Sequence, residues 1–138
     1  MRRAALALLL CVPLAACPAA QGAPADLCDA SWRTREAQIV EPGGEDERTV
    51  AIDCIRSIER RRLRIGFTLP GGPDCWRLSR VDVVETADAV SVTLFVSRSD
   101  DPTAGACAPE ARPVRTEIDL QQAAGTRELL DGSLAGDS

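Results

Sequence analysis

Cysteine leads the short inventory of residues in this 138-residue chain that could do covalent or metal chemistry, with copies at 11, 17, 28, 54, 75 and 107. A cysteine sulfur can attack a carbonyl, hold a metal or pair with another cysteine. Attack needs a base beside the thiol, and the chain has no histidine, lysine or tyrosine. Ser-His-Asp and Cys-His arrangements therefore cannot form within it, and the missing lysine removes Ser-Lys hydrolysis, Schiff-base chemistry and a P-loop. A structural zinc site normally brings ligands in close pairs such as C-x2-C. Here Cys28, Cys54, Cys75 and Cys107 each stand more than twenty positions from the next. Paired carboxylates remain, as in glycoside hydrolysis. Asp82, Glu85, Glu117 and Asp119 fall on strand-patterned segments, but two tryptophans and two phenylalanines must serve both a core and any sugar platform. The acidic run Glu41, Glu45, Asp46 and Glu47 lacks the D-x-[DN]-x-[DN]-G calcium pattern and reads as a solvated loop. These residue types predict a protein that is not an enzyme and needs no cofactor or metal.

The remaining chemistry depends on where the chain goes. Arg2 and Arg3 precede a short apolar run that ends in Leu14-Ala15-Ala16-Cys17. The run is too short for a permanent membrane span and reads as an export signal. Leu14-Ala15-Ala16-Cys17 resembles the lipobox of bacterial lipoprotein precursors. That resemblance implies removal of residues 1–16 as a signal peptide and lipidation of Cys17, with palmitate-type acyl chains as the membrane partner. It implies a protein held at the outer face of the cytoplasmic membrane. The competing reading is cleavage at Ala23-Pro24-Ala25, which releases the protein free. Residues 17–25, containing PAAQGAPA, read as a flexible tether, residues 26–132 as a disulfide-bridged β domain, and residues 133–138 as a flexible tail.

Export places the other four cysteines in an oxidising compartment, where an even number implies two disulfides. Three pairings are possible. The strand register favours Cys75 with Cys107, leaving Cys28 with Cys54. Each bridge closes a loop of a few tens of residues and is worth about 3–4 kcal/mol in the chain-entropy description. The formal charge is −5. Loss of Arg2 and Arg3 leaves fourteen arginines against twenty-one acids, a net near −7. Such a chain is poorly suited to binding nucleic acid or anionic lipid by charge.

The elements that must position these groups alternate with period two. Arg48–Ile55, Arg62–Leu69 and Val114–Leu120 read as half-buried strands, and Arg127–Leu130 as a short last one. Arg77 to Val96 reads as a hairpin reversing at Thr86–Ala89, with Val81 opposite Leu94, Val83 opposite Val92, and Ser79 opposite Val96. Trp76, Leu78, Val84 and Phe95 fall on a second, half-apolar face that a further layer or loop should cover in part. Arg56–Arg61 reads as a turn and Ser97–Pro113 as an exposed loop. Arg62 and Arg64 read as an outer strand face guarding an edge. Asp26–Val40 is open between a short helix and an irregular arm. The sum is a mainly β domain: a small antiparallel sheet or sandwich of five or six strands, room for one short helix, and two disulfides. From Cys75 onward, V-x-V-x-E at Val81–Glu85, V-x-x-x-I-x-L at Val114–Leu120 and R-x-L-L-D-G at Arg127–Gly132 resemble small uncharacterised secreted proteins of high-GC actinobacteria. That resemblance supports the fold and implies no activity. Function is expected to be that of a non-catalytic envelope lipoprotein binding an unknown envelope protein or wall component. The alternatives are a carrier of small apolar ligands lined by Trp32 and Trp76, or an inhibitor of an envelope hydrolase.

Overall fold

The computed structural model describes Cys28, residues 32–72, 74–100, Cys107 and residues 110–136. The leader, Cys17, the tether and most of the loop around Cys107 lie outside the described residues. The rest is a two-layer β sandwich with two disulfides. The strands are β1 (Glu36–Ala37), β2 (Glu45–Val50), β3 (Ile52–Glu59), β4 (Arg62–Leu69), β5 (Trp76–Glu85), β6 (Ala89–Arg98), β7 (Arg112–Asp119) and β8 (Glu128–Asp131). One sheet has the order β1-β7-β4-β3 and the other β2-β6-β5, with β8 sharing the β2 side of β6. Two pairings, β1 with β7 and β6 with β8, are parallel, and the rest are antiparallel.

The alternation of β4 and β6 explains why these layers meet. Leu63, Ile65, Phe67 and Leu69 of β4, with Val114 of β7, face Leu78 of β5 and Val90, Val92, Leu94 and Val96 of β6, all at 0 % exposure. Fully burying such a side chain is worth about 1.5–3 kcal/mol each. Only Ala51 separates β2 from β3, so one nearly continuous run of chain passes from the β2-β6-β5 sheet to the β1-β7-β4-β3 sheet and closes that side of the sandwich.

Bulges change several expected facings. In the hairpin, Val81 pairs with Leu94 and Val83 with Val92 as expected, but Leu78 pairs with Val96 because the register shifts between Leu78 and Arg80. An extra residue in one strand reverses the facing of everything beyond it. Leu78 and Trp76 therefore join the core side, and Ser79 sits in the bulge. Its hydroxyl lies 3.0 Å from a Glu47 carboxylate oxygen and 3.1 Å from the Phe95 carbonyl. A second shift, between Ile52 and Cys54, leaves Ile52 opposite Phe67 and puts Cys54 opposite Gly66, on the outer face.

Other boundaries move as well. The expected turn at Arg56–Arg61 shrinks to Arg60–Arg61, since β3 runs on to Glu59. Glu45–Glu47 belong to β2, and β7 begins at Arg112. Arg62 and Arg64 lie on β4, an inner strand, so they guard no edge. The tail does not leave the domain at Ser133. A 3-10 helix, Gly132–Gly136, folds onto β6, with Gly132 so close to Ser91 and Thr93 that a side chain there would collide with both hydroxyls. This helix gives the outer face of the hairpin part of its expected cover. Of the segment Asp26–Val40, the described residues 32–40 hold a 3-10 helix at Trp32–Thr34 and the short β1.

Candidate functional site

Cys28 and Cys54 are bonded, as are Cys75 and Cys107, each pair with Cα atoms 5.6 Å apart. The first bridge ties the arm before β1 to the outer face of the β1-β7-β4-β3 sheet. There Trp32 is 5 % exposed, with the Arg64 guanidinium 4.2 Å and that of Arg115 4.9 Å from its ring centroid. Arg115 Nε donates to the Arg35 carbonyl at 2.8 Å, locking the arm to β7. Arg35 itself runs across Gly66, where a Cβ would strike its Nη1 and come within 2.8 Å of Cys54 Sγ. Arg35 Nη1 lies 4.0 Å from the Asp53 carboxylate.

Trp76 lies on the other sheet, packed against the end of the core with the Arg48 guanidinium 4.2 Å from its ring. Trp32 and Trp76 thus occupy different layers, each under an arginine. Phe95 is capped in the same way by Arg80, at 3.6 Å. Cation–π contacts of this kind are worth about 0.5–1 kcal/mol where exposed.

The carboxylates considered for catalysis are all held by arginine. Asp82 pairs with Arg80, Glu117 with Arg64 at 3.6 Å, and Asp119 with Arg62 at 3.0 Å. The Asp119 hydrogen bond, followed by the negative charges of Glu59, Asp119 and Glu117, raises the pKa of Arg62. Glu85 accepts from the backbone N–H of Gln121 and Gln122 and from Arg127 Nη1, at 2.7, 3.2 and 3.0 Å. The Gln121 N–H, then Arg127 and Gln122, hold its carboxyl below the usual glutamate range. Arg127 in turn donates to the carbonyls of Gln122, Ala123 and Thr86, so the pair pins the turn after β7 to the hairpin tip. Three acids of the Glu41–Glu47 segment are also paired: Glu41 with Arg77, Glu47 with Arg80, and Asp46 with Arg98 at 4.0 Å.

An exposed apolar strip lies elsewhere, where the chain leaves β1. Gln38 donates its backbone N–H to the Arg115 carbonyl and accepts from the Thr116 hydroxyl, and Glu41 N–H then reaches the Leu78 carbonyl of the other sheet. Ile39 and Val40, between these anchors, are 72 % and 45 % exposed. A groove of about 280 Å³ lies on one side, lined by Trp32, Ala37, Gln38, Ile39, Arg115, Thr116 and Glu117. Another of about 270 Å³ shares Ala37, Gln38 and Ile39 and adds Glu36, Glu41, Asp74, Arg77 and Ser99. One groove is mainly apolar and the other mainly polar. Sequence reasoning missed this strip. The signal was an Ile-Val pair placed directly before Glu41-Pro42-Gly43-Gly44, with no alternating strand around it to bury the pair. Comparison with protein-family models, with curated proteins and with solved structures finds no match to this chain.

Proposed function

We propose that this chain is an exported, lipid-anchored and non-catalytic module of the bacterial envelope that engages a protein partner through the strip Ala37–Val40. Residues 1–16 act as the signal peptide, Cys17 carries the lipid, and residues 17–25 are the tether. Two disulfides fit an oxidising compartment outside the cytoplasm, and the lipobox-like Leu14-Ala15-Ala16-Cys17 supplies the anchor. The observation that carries the partner reading is the exposure of Ile39 and Val40 between two grooves, in a molecule where Trp32, Trp76 and Phe95 are stacked under arginines and Phe67 is buried in the core. An apolar pair rimmed by charged residues is the usual form of a small docking site.

A photo-crosslinking residue placed at Ile39 in the living host tests this. A discrete adduct is expected from position 39, absent from a probe at Ser57 on the opposite edge strand and lost when Val40→Asp is added. Absence of any adduct from position 39, or the same adducts from both positions, would refute the reading.

A further inference from the structure

The open side of β5 carries an inference that is independent of anchoring. β5 ends the order β2-β6-β5, and among the described residues no strand pairs with its other side. Glu41 caps that side near its start, at the Leu78 carbonyl. Backbone groups of successive strand residues point to alternate sides. The Thr86 N–H donates across the hairpin to the Ala89 carbonyl at 2.9 Å, so Thr86 faces β6. Counting back by twos, Val84 and Asp82 also face β6, and Val81, Val83 and Glu85 present their N–H and C=O groups to the open side. Val81 and Val83 pack against the core yet stay half-buried, as does Ile118 of β7. On the outer face Val84 is 61 % exposed. An unpaired row of this kind templates another strand.

We propose that a second copy of the chain supplies that strand, the two β5 edges pairing antiparallel about a two-fold axis at Val83. The open groups at 81, 83 and 85 are symmetric about Val83. In this register Val83 pairs with its own counterpart and Val81 with Glu85 of the second copy, and no open N–H or C=O is left over. Val83 also gains apolar contact that the single chain lacks. Asp82 comes opposite Val84 of the second copy, whereas an axis at Asp82 would set two carboxylates against each other. An axis at Val81 would need the stretch that Glu41 already caps. The contact is isologous and far smaller than the ~1,600 Å² of a standard stable interface, so the dimer forms reversibly with concentration.

Sedimentation equilibrium of the protein as its host exports it, in a density-matched detergent, tests the pairing against two surface variants. Val84→Asp places an aspartate opposite Asp82 twice per dimer, and Val84→Lys places a lysine there. The wild type should self-associate reversibly. Val84→Asp should weaken association at least tenfold, and Val84→Lys should leave it equal or tighter, with unchanged melting temperatures for both. A wild type that stays monomeric throughout, two variants shifted in the same direction, or no shift in either would overturn the proposal. A monomeric wild type that loses a co-purifying protein on Val84→Asp would overturn it in favour of a foreign strand.

Discussion

Arginine carries much of this molecule's surface cohesion, residue by residue. Trp32, Trp76 and Phe95 each meet a guanidinium, a use that lysine would serve less well because its ammonium is compact and strongly hydrated. Gly66 marks the tightest point of this arrangement, since Arg35 and the Cys54 sulfur occupy the space a side chain would need. Gly66→Ala should therefore cost about 1–3 kcal/mol in urea unfolding, the range for overpacking a closed site. Glu85 offers a pH test. Its carboxyl titrates below the usual glutamate range because it accepts the Gln121 and Gln122 N–H groups and Arg127. A depressed native pKa contributes stability above the unfolded value, about pH 4.3, and the contribution is lost as pH falls through the native pKa. The stability gap between wild type and Glu85→Gln should thus be widest near neutrality and close below about pH 4. The carboxylates' positions on strands were legible from alternation. Apart from Arg80 beside Asp82, their arginine partners were not, because those contacts join residues far apart in the chain, such as Arg62 with Asp119.

Among the elements, β4 and β6 were the most legible, their alternation surviving intact into the core. The pairing of Cys75 with Cys107 was legible for the same reason, although the bulge at Ser79 shifts the register there by one residue and places Cys75 beside Ser99. The bulges themselves were hidden, because an extra residue is tolerated only where a partner outside the strand holds it, as Glu47 does for Ser79. Cys54 shows the consequence: its run reads as one facing with Ile52, yet the shift sends it outward to meet Cys28. The arm from Cys28 to β1 depends on that bridge and on Trp32. Paired Cys75→Ser and Cys107→Ser changes should cost about 3–4 kcal/mol by loop entropy. The Cys28→Ser and Cys54→Ser pair should cost at least as much, because it also loosens the arm that buries Trp32. Trp32→Ala should cost about 3–5 kcal/mol, the range for a buried tryptophan, read by denaturant midpoints against the wild type.

The whole molecule is a small sandwich whose closed side is the β2–β3 crossing and whose opposite side is bridged by the strip from Gln38 to Glu41. Its class was readable in the sequence because nearly every strand repeats the same two-residue period, and its exposed strip was not because Ile39 and Val40 belong to no strand. The Cys28–Cys54 bond fixes the end of the tether to one layer, so a lipid on Cys17 would hold that layer within the reach of eleven residues, about 36–40 Å at full extension. Two or more acyl chains give stable anchoring where a single chain is marginal, and the described residues contain no helix long and apolar enough to cross a membrane. Anchoring therefore depends on Cys17, and membrane fractionation of Cys17→Ala in the native host is its test. The wild type should sediment with membranes and the variant should appear in the soluble or secreted fraction; a variant that still sediments with membranes to the same extent would contradict the claim.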